Sequence, residues 1–151
     1  MEKKGPRTFI VEGNAHSVSA IIKTVVDNKG TVVGIANFEE TVSRFLQFVQ
    51  DSNEQIDIVV IASTIGQVLS SDRVKYTEYD PGLAAQFRRI FRDTIIVGGA
   101  REESDLERMN RAGCDDVVLH LGCGGFTGEK TAQRALELWQ AKMACRQYPT
   151  V

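Results

Sequence analysis

The feature that most limits how this chain can fold is an alternation of two periodicities between Thr8 and Cys145. Short apolar runs rich in β-branched residues occur at Thr8–Val11, Thr31–Ala36, Ile56–Ala62, Thr94–Val97 and Asp116–Leu119. They are apolar almost throughout rather than at every second position, which is the pattern of strands covered on both faces. Between them lie segments with helical spacing. Val18, Ile21, Ile22, Val25 and Val26 follow i, i+3, i+4, i+7, i+8, and Gly30 is placed to close that helix. Asn37 with Glu40, and Ser104 with Glu107, have the spacing of capping boxes before two more helices, the second ending at Gly113. A last helix, from about Gly128 to Cys145, aligns Ala132, Ala135, Leu136, Trp139 and Met143. Five strands alternating with five helices predict an α/β fold with a doubly wound parallel sheet.

A chain of 151 residues is long enough for one domain with a genuine core and short for two. We expect an N-terminal tail over 1–7, one domain over 8–146 and a C-terminal tail over 147–151. Ser63–Asp80, about 18 residues of mixed polarity, is expected to be a long loop inserted after the third strand. Such a stretch is either a binding loop or a tolerated insertion, and it has room for a short element. The net charge of −2 gives no reason to expect nucleic acid or an anionic membrane as a direct partner. Cys114, Cys123 and Cys145 are odd in number and form no CxxC pair, so metal and redox spacings are missing and a reducing compartment is expected. The polar start, Met1 to Thr8, has no signal-like apolar segment, and no apolar run approaches the ~18 residues of a membrane span. The expected location is the cytoplasm.

In an open parallel sheet, ligands bind outside the C-terminal ends of the strands. The residues predicted there are Glu12, Gly13 and Asn14, then Ala62, Ser63 and Thr64, then Gly98, Gly99 and Ala100, and finally His120, Leu121 and Gly122. That set has one carboxylate, one imidazole and mostly small side chains.

Taken in order, several segments resemble the receiver domain of two-component response regulators. Phe9-Ile-Val-Glu-Gly-Asn14 resembles its first strand and acidic turn, and Asp57-Ile-Val-Val-Ile-Ala62 the strand that carries the phosphorylated aspartate. Asp80-Pro-Gly-Leu83 resembles the start of its third helix, and Thr94-Ile-Ile-Val-Gly-Gly-Ala100 its fourth strand. Arg111-Ala-Gly-Cys-Asp-Asp-Val-Val118 is the most specific match. The resemblance spans about Thr8 to Cys145 and implies a flavodoxin-like five-stranded sheet in the order 2-1-3-4-5.

Receivers transfer a phosphoryl group to an aspartate, which concentrates negative charge that Mg²⁺ and a lysine must stabilise. Carried over by position, the resemblance implies a degenerate phosphorylation pocket here. Glu12 keeps one acidic position, but Gly13 replaces its partner, Ala62 the phosphoacceptor, Gly99 the hydroxyl and His120 the lysine. Val117 takes the aromatic switch position, so the hydroxyl–aromatic coupling is missing too. Asp57 is no substitute: it starts its strand, about 16 Å from the site end. No metal, no cofactor and no enzymatic activity are expected of such a pseudo-receiver.

The remaining motifs have plainer readings. Gly122-Cys-Gly-Gly-Phe-Thr-Gly-Glu-Lys-Thr131 fails the P-loop pattern because Glu129 separates Gly128 from Lys130, and it fails the dinucleotide pattern by one residue. It reads as a turn, with Gly122, Gly124, Gly125 and Ser63 left as candidate contacts for an anion or ligand. His16 and Glu12 do not fit the spacing of a cobalamin site, and His16 is expected to be exposed. His120 is a rim residue or, near Glu12, an acid–base partner. Arg88, Arg89 and Arg92 read as a solvated helix face rather than a DNA-binding surface, and Phe48 departs from the core stripe of its helix. Together these readings predict a signalling regulator that acts by phosphorylation-independent contact with a protein partner, a homodimer being one form of it. The candidate surfaces are the 63–80 stretch and the face built from the fourth helix, fifth strand and fifth helix. The alternative is a sensor that binds a metabolite, nucleotide or quinone in the vacated pocket.

Overall fold

In the computed structural model, which describes residues 5–61, 64–70, 73–78, 83–100, 102–119 and 127–147, all five apolar runs become strands of one sheet. These are β1 (Arg7–Val11), β2 (Thr31–Ala36), β3 (Ile58–Ile61), β6 (Ile95–Ala100) and β7 (Asp116–Leu119). They lie in the order β2-β1-β3-β6-β7 and pair in parallel throughout. Counting only the strands of this sheet, that is the order 2-1-3-4-5. The helices are α1 (Ala15–Asp27), α2 (Glu39–Ser52), α3 (Leu83–Ile90), α4 (Glu103–Arg111) and α5 (Thr127–Gln147).

Alternate strand residues feed two cores, which is why the runs had to be apolar on both faces. Phe9, Val11, Val59, Ile61 and Ile96 pack with Val42, Leu46, Phe87 and Met109 from α2, α3 and α4. Ile10, Ile58, Val60 and Val97 pack with Ile21, Val25, Ala132 and Leu136 from α1 and α5. Burying each such side chain contributes about 1.5–3 kcal/mol relative to leaving it in water. Phe9 stacks on Phe45 and lies tilted against Phe87, so one aromatic group ties β1 to α2 and α3.

Several boundaries differ from the sequence expectation, each for a local reason. The 63–80 stretch contains an antiparallel hairpin, β4 (Thr64–Ser70) and β5 (Arg73–Glu78), where a long loop was expected. The alternation Arg73-Val-Lys-Tyr-Thr-Glu78 has period two, the strand signal that mixed polarity obscured. The first strand also starts one residue before Thr8: Arg7 is already in β1, and Pro6 O accepts from Thr31 N–H. Neither capping box forms. Phe38 precedes α2 without a side-chain cap, and Asn37 instead donates from Nδ2 to Glu12 O at 3.0 Å, joining the ends of β1 and β2. Ser104 lies inside α4, whose N-cap position is Glu102.

The helix ends are closed by backbone geometry. After α1, Lys29 N–H donates to Val26 O and Gly30 N–H to Val25 O, with Lys29 at φ 63°. This is a Schellman closure in which the left-handed residue is Lys29 and not Gly30. After α4 the same closure puts Gly113 at φ 110°, and Cys114 N–H reaches Met109 O. A glycine is needed there because other residues rarely adopt that φ.

Candidate functional site

Strands β1 and β3 end in register at Val11 and Ile61, and Gly98 of β6, which runs on to Ala100, completes the row across the sheet. The next step along each strand is the rim where the sequence placed the site. Glu12 continues β1 and is 1% exposed. Its N–H donates to Ala36 O, and its Oε1 accepts from Asn14 N–H at 2.9 Å. The carboxylate is thus drawn into the turn between β1 and α1. Asn14 is the helix N-cap: its Oδ1 accepts from His16 N–H and Ser17 N–H. Gly13, half-buried, separates the two and has no side chain to offer a metal or a phosphoryl group.

Gly98 and Gly99 are both buried in β6. Gly98 stands opposite Val117 and Gly99 opposite Val118. The hydroxyl and aromatic positions that the resemblance set at Gly99 and Val117 are therefore one register step apart. Neither glycine provides a hydroxyl. Two strand spacings put the backbones of Glu12 and Gly99 about 10 Å apart, with β3 between them. Ala62, Ser63, His120, Gly122, Gly124 and Gly125 lie outside the described residues.

Of the glycine run before α5, only Gly128 is described, and packing accounts for it. A Cβ there would sit 2.2 Å from Ser17 Oγ and 2.9 Å from Ile21 Cγ1, so glycine lets α5 approach α1 closely. Among the described residues no three His, Cys, Asp or Glu side chains converge as metal ligands. A Mg²⁺ site needs oxygen donors in near-octahedral array, and the described part of this rim supplies one carboxylate. His16 is exposed at the start of α1, and Phe48 is 57% exposed on α2.

The opposite end of the sheet holds polar residues whose roles the sequence did not reveal. Arg88 does not belong to a solvated face: its guanidinium donates to the carbonyls of Phe91, Arg92, Thr94 and Gly113 and pairs with Asp115 at 2.7 Å. Asp115 Oδ2 also accepts from Ile96 N–H, and Asp57 Oδ2 accepts from Arg7 N–H. Thr94 Oγ1 donates to Ile56 O at 2.6 Å. These bonds fix where β3 and β6 begin. The recurrence of Asp just before a strand, at 57 and again at 115, was the available signal.

No helix among the described residues is long and apolar enough to cross a membrane. No family model and no curated protein matches the chain. Solved structures do. One is the signal receiver domain of a modulated diguanylate cyclase from Desulfovibrio desulfuricans G20, 13% identical, covering 95% of this chain and 99% of that one at a TM-score of 0.62. Another is a response regulator from Thermotoga maritima, 17% identical, covering 90% and 98% at 0.62. A third is a chain of the CheX–CheY complex from Borrelia burgdorferi, 10% identical, covering 90% of each at 0.64. The chain thus has the flavodoxin-like fold of response-regulator receiver domains.

Proposed function

We propose that this protein is a pseudo-receiver: a signalling regulator that works through contact with a protein partner and without aspartyl phosphate. The observation that carries the reading is the rim at the C-terminal ends of the strands. Its described positions are Gly13, Gly98, Gly99 and one carboxylate, Glu12, already bonded into the β1–α1 turn. The sequence adds Ala62 where a phosphoacceptor would stand. Stabilising a transferred phosphoryl group requires convergent cations and donors, and the described residues of this rim supply no cation.

The docking surface we favour is the β4–β5 hairpin with α2. An isolated two-stranded hairpin is marginal in water, and this one forms a separate sheet with β4 beside α2. The exposed Phe48 ring lies on that same helix. The direct experiment is incubation of the chain with acetyl phosphate and Mg²⁺, followed by intact mass. No stable adduct is expected, and stoichiometric, hydroxylamine-sensitive phosphorylation overturns the reading. Capture of partners from the source cell should then require the 63–80 stretch and be weakened by Phe48→Ala. Capture that survives deletion of that stretch removes the hairpin from the interface.

A further inference from the structure

A cleft of about 470 Å³ opens at the end of the sheet remote from Glu12, under the starts of β3 and β6. Its size lies within the range of small-molecule sites. One wall is apolar: Ile90 and Phe91 after α3, with Trp139 and Met143 from α5. The rim carries Arg92, Lys142 and Arg146.

The lining holds three cations and three carboxylates, and because Arg7 pairs with Glu54 from outside the cleft, one positive charge is left over. Of the three carboxylates that line the cleft, Glu54 is paired with Arg7, and Asp57 is bonded to Arg7 N–H and the Gln55 side chain. Only Asp93 is left uncommitted among the described residues. Against it stand two guanidinium groups, of Arg92 and Arg146, without an ion-pair partner among the described residues, and Lys142, which donates to Asp93 O. The C-terminal carbonyls after α3 would repel an anion, but Arg88 already binds those of Phe91, Arg92 and Thr94. The Trp139 indole N–H is enclosed in the wall and has no acceptor among the described residues. A buried indole normally has one, so no hydrogen bond fixes this ring against re-seating on a ligand.

We propose that this cleft binds a small aromatic anion: a flat ring bearing a phosphate or a carboxylate, with the ring against Trp139 and the acid group on Arg92 and Arg146. Guanidinium groups suit both acids because their paired N–H donors match two oxygens at once. The site is separate from the rim around Glu12, so it stands or falls independently of the phosphorylation test.

Trp139 is the only tryptophan, which makes its emission a reporter in the intact chain. Adenosine 5′-monophosphate and benzoate test the two acid groups, while adenosine and inorganic phosphate supply the ring and the acid separately. The expected result is a saturable change in emission with the monophosphate or with benzoate, at least about tenfold tighter than with either half. Whichever acid binds more tightly identifies the group. Arg92→Gln with Arg146→Gln should weaken binding by about tenfold or more, with the far-UV spectrum unchanged. Arg89→Gln, exposed on α3 and outside the cleft, should leave it as it was. No saturable change with either aromatic acid overturns the proposal. So does binding of phosphate alone with equal affinity, or wild-type affinity in the folded double variant.

Discussion

The two ends of one sheet use polar residues in opposite ways. At the N-terminal ends of the strands, Arg88, Asp115, Asp57 and Thr94 are bonded to backbone groups of neighbouring elements. At the C-terminal ends, the described positions include three glycines, a single carboxylate that is 1% exposed, and Asn14 and Asn37, whose side chains bond to backbone groups. The first arrangement satisfies backbone groups that a strand start leaves open. The second is found at the place where open α/β sheets usually bind ligands, and its described residues offer one carboxylate. Among the described residues, side-chain bonds to strand backbone are thus more numerous at the N-terminal end than at the C-terminal end.

Arg88→Ala is the sharpest way to break this contrast. It removes the donors for four carbonyls and the partner of Asp115, and it strips the aliphatic stem that packs on Gly113. The Arg88 side chain is 26% exposed, so water recovers part of the loss. A cost of about 3 kcal/mol is expected, read as a lower urea midpoint with unchanged slope. A cost under about 1 kcal/mol would mean that those carbonyls are satisfied without it.

Cys114 sharpens the same end through pH. Burial pushes its thiol up to about 12 from the ordinary 9.0, with the Asp115 carboxylate adding to the effect. The folded chain therefore holds this proton when the unfolded chain has lost it. The contribution is fully present below pH 9 and is lost as pH rises towards 12. Between pH 8 and pH 10 the wild type should lose about 1–1.5 kcal/mol more than Cys114→Ala, measured by urea titration at each pH. Parallel losses in the two proteins would place the thiol in contact with water.

Much of this fold was legible because burial on both faces leaves a direct trace. The runs at Thr31–Ala36 and Asp116–Leu119 coincide with strands to the residue, their Val and Ile residues suiting a pleated, half-buried surface. Capping spacing was a poor guide by comparison. Asn37 and Asn14 are the same residue type at a strand end, yet Asn14 caps a helix and Asn37 bonds across to Glu12 O. Which of the two happens depends on the neighbouring strand, which the local sequence does not contain. Arg88 was hidden for the same reason: four of its five acceptors are carbonyls, and every residue has one. At the candidate site the sequence placed Gly13 after the first strand and Gly98 and Gly99 at the end of the fourth run, where the structure has them after β1 and within β6. It did not reveal that Glu12 is turned into its own loop.

Asn14→Ala probes the C-terminal end. The substitution removes the oxygen that receives the N–H groups of His16, which is exposed so that water replaces it, and of Ser17, which is buried. The expected cost is about 1 kcal/mol, a third of that for Arg88→Ala. Equal costs for the two variants would abolish the distinction between the ends. Capture of the protein partner should be unaffected, since the hairpin is untouched by this change.

The smallest effect expected tests whether the N-terminal end is a set of independent bonds or one network. Glu54 pairs with Arg7 at 2.8 Å, but both side chains are about two-fifths exposed. Arg7 keeps its Nε bond to Gln55 O and its backbone bond to Asp57 when that pair is lost. Glu54→Gln should therefore change stability by less than about 0.5 kcal/mol, with little dependence on salt. If the bonds are independent, combining it with Arg88→Ala should simply add the two costs, because neither residue shares a partner with the other. A double variant that loses more than about 0.5 kcal/mol beyond the sum would show that Arg7, Asp57, Thr94 and Arg88 act together. In that case the N-terminal end is a single clamp across the starts of β1, β3 and β6, and its cleft would inherit that rigidity.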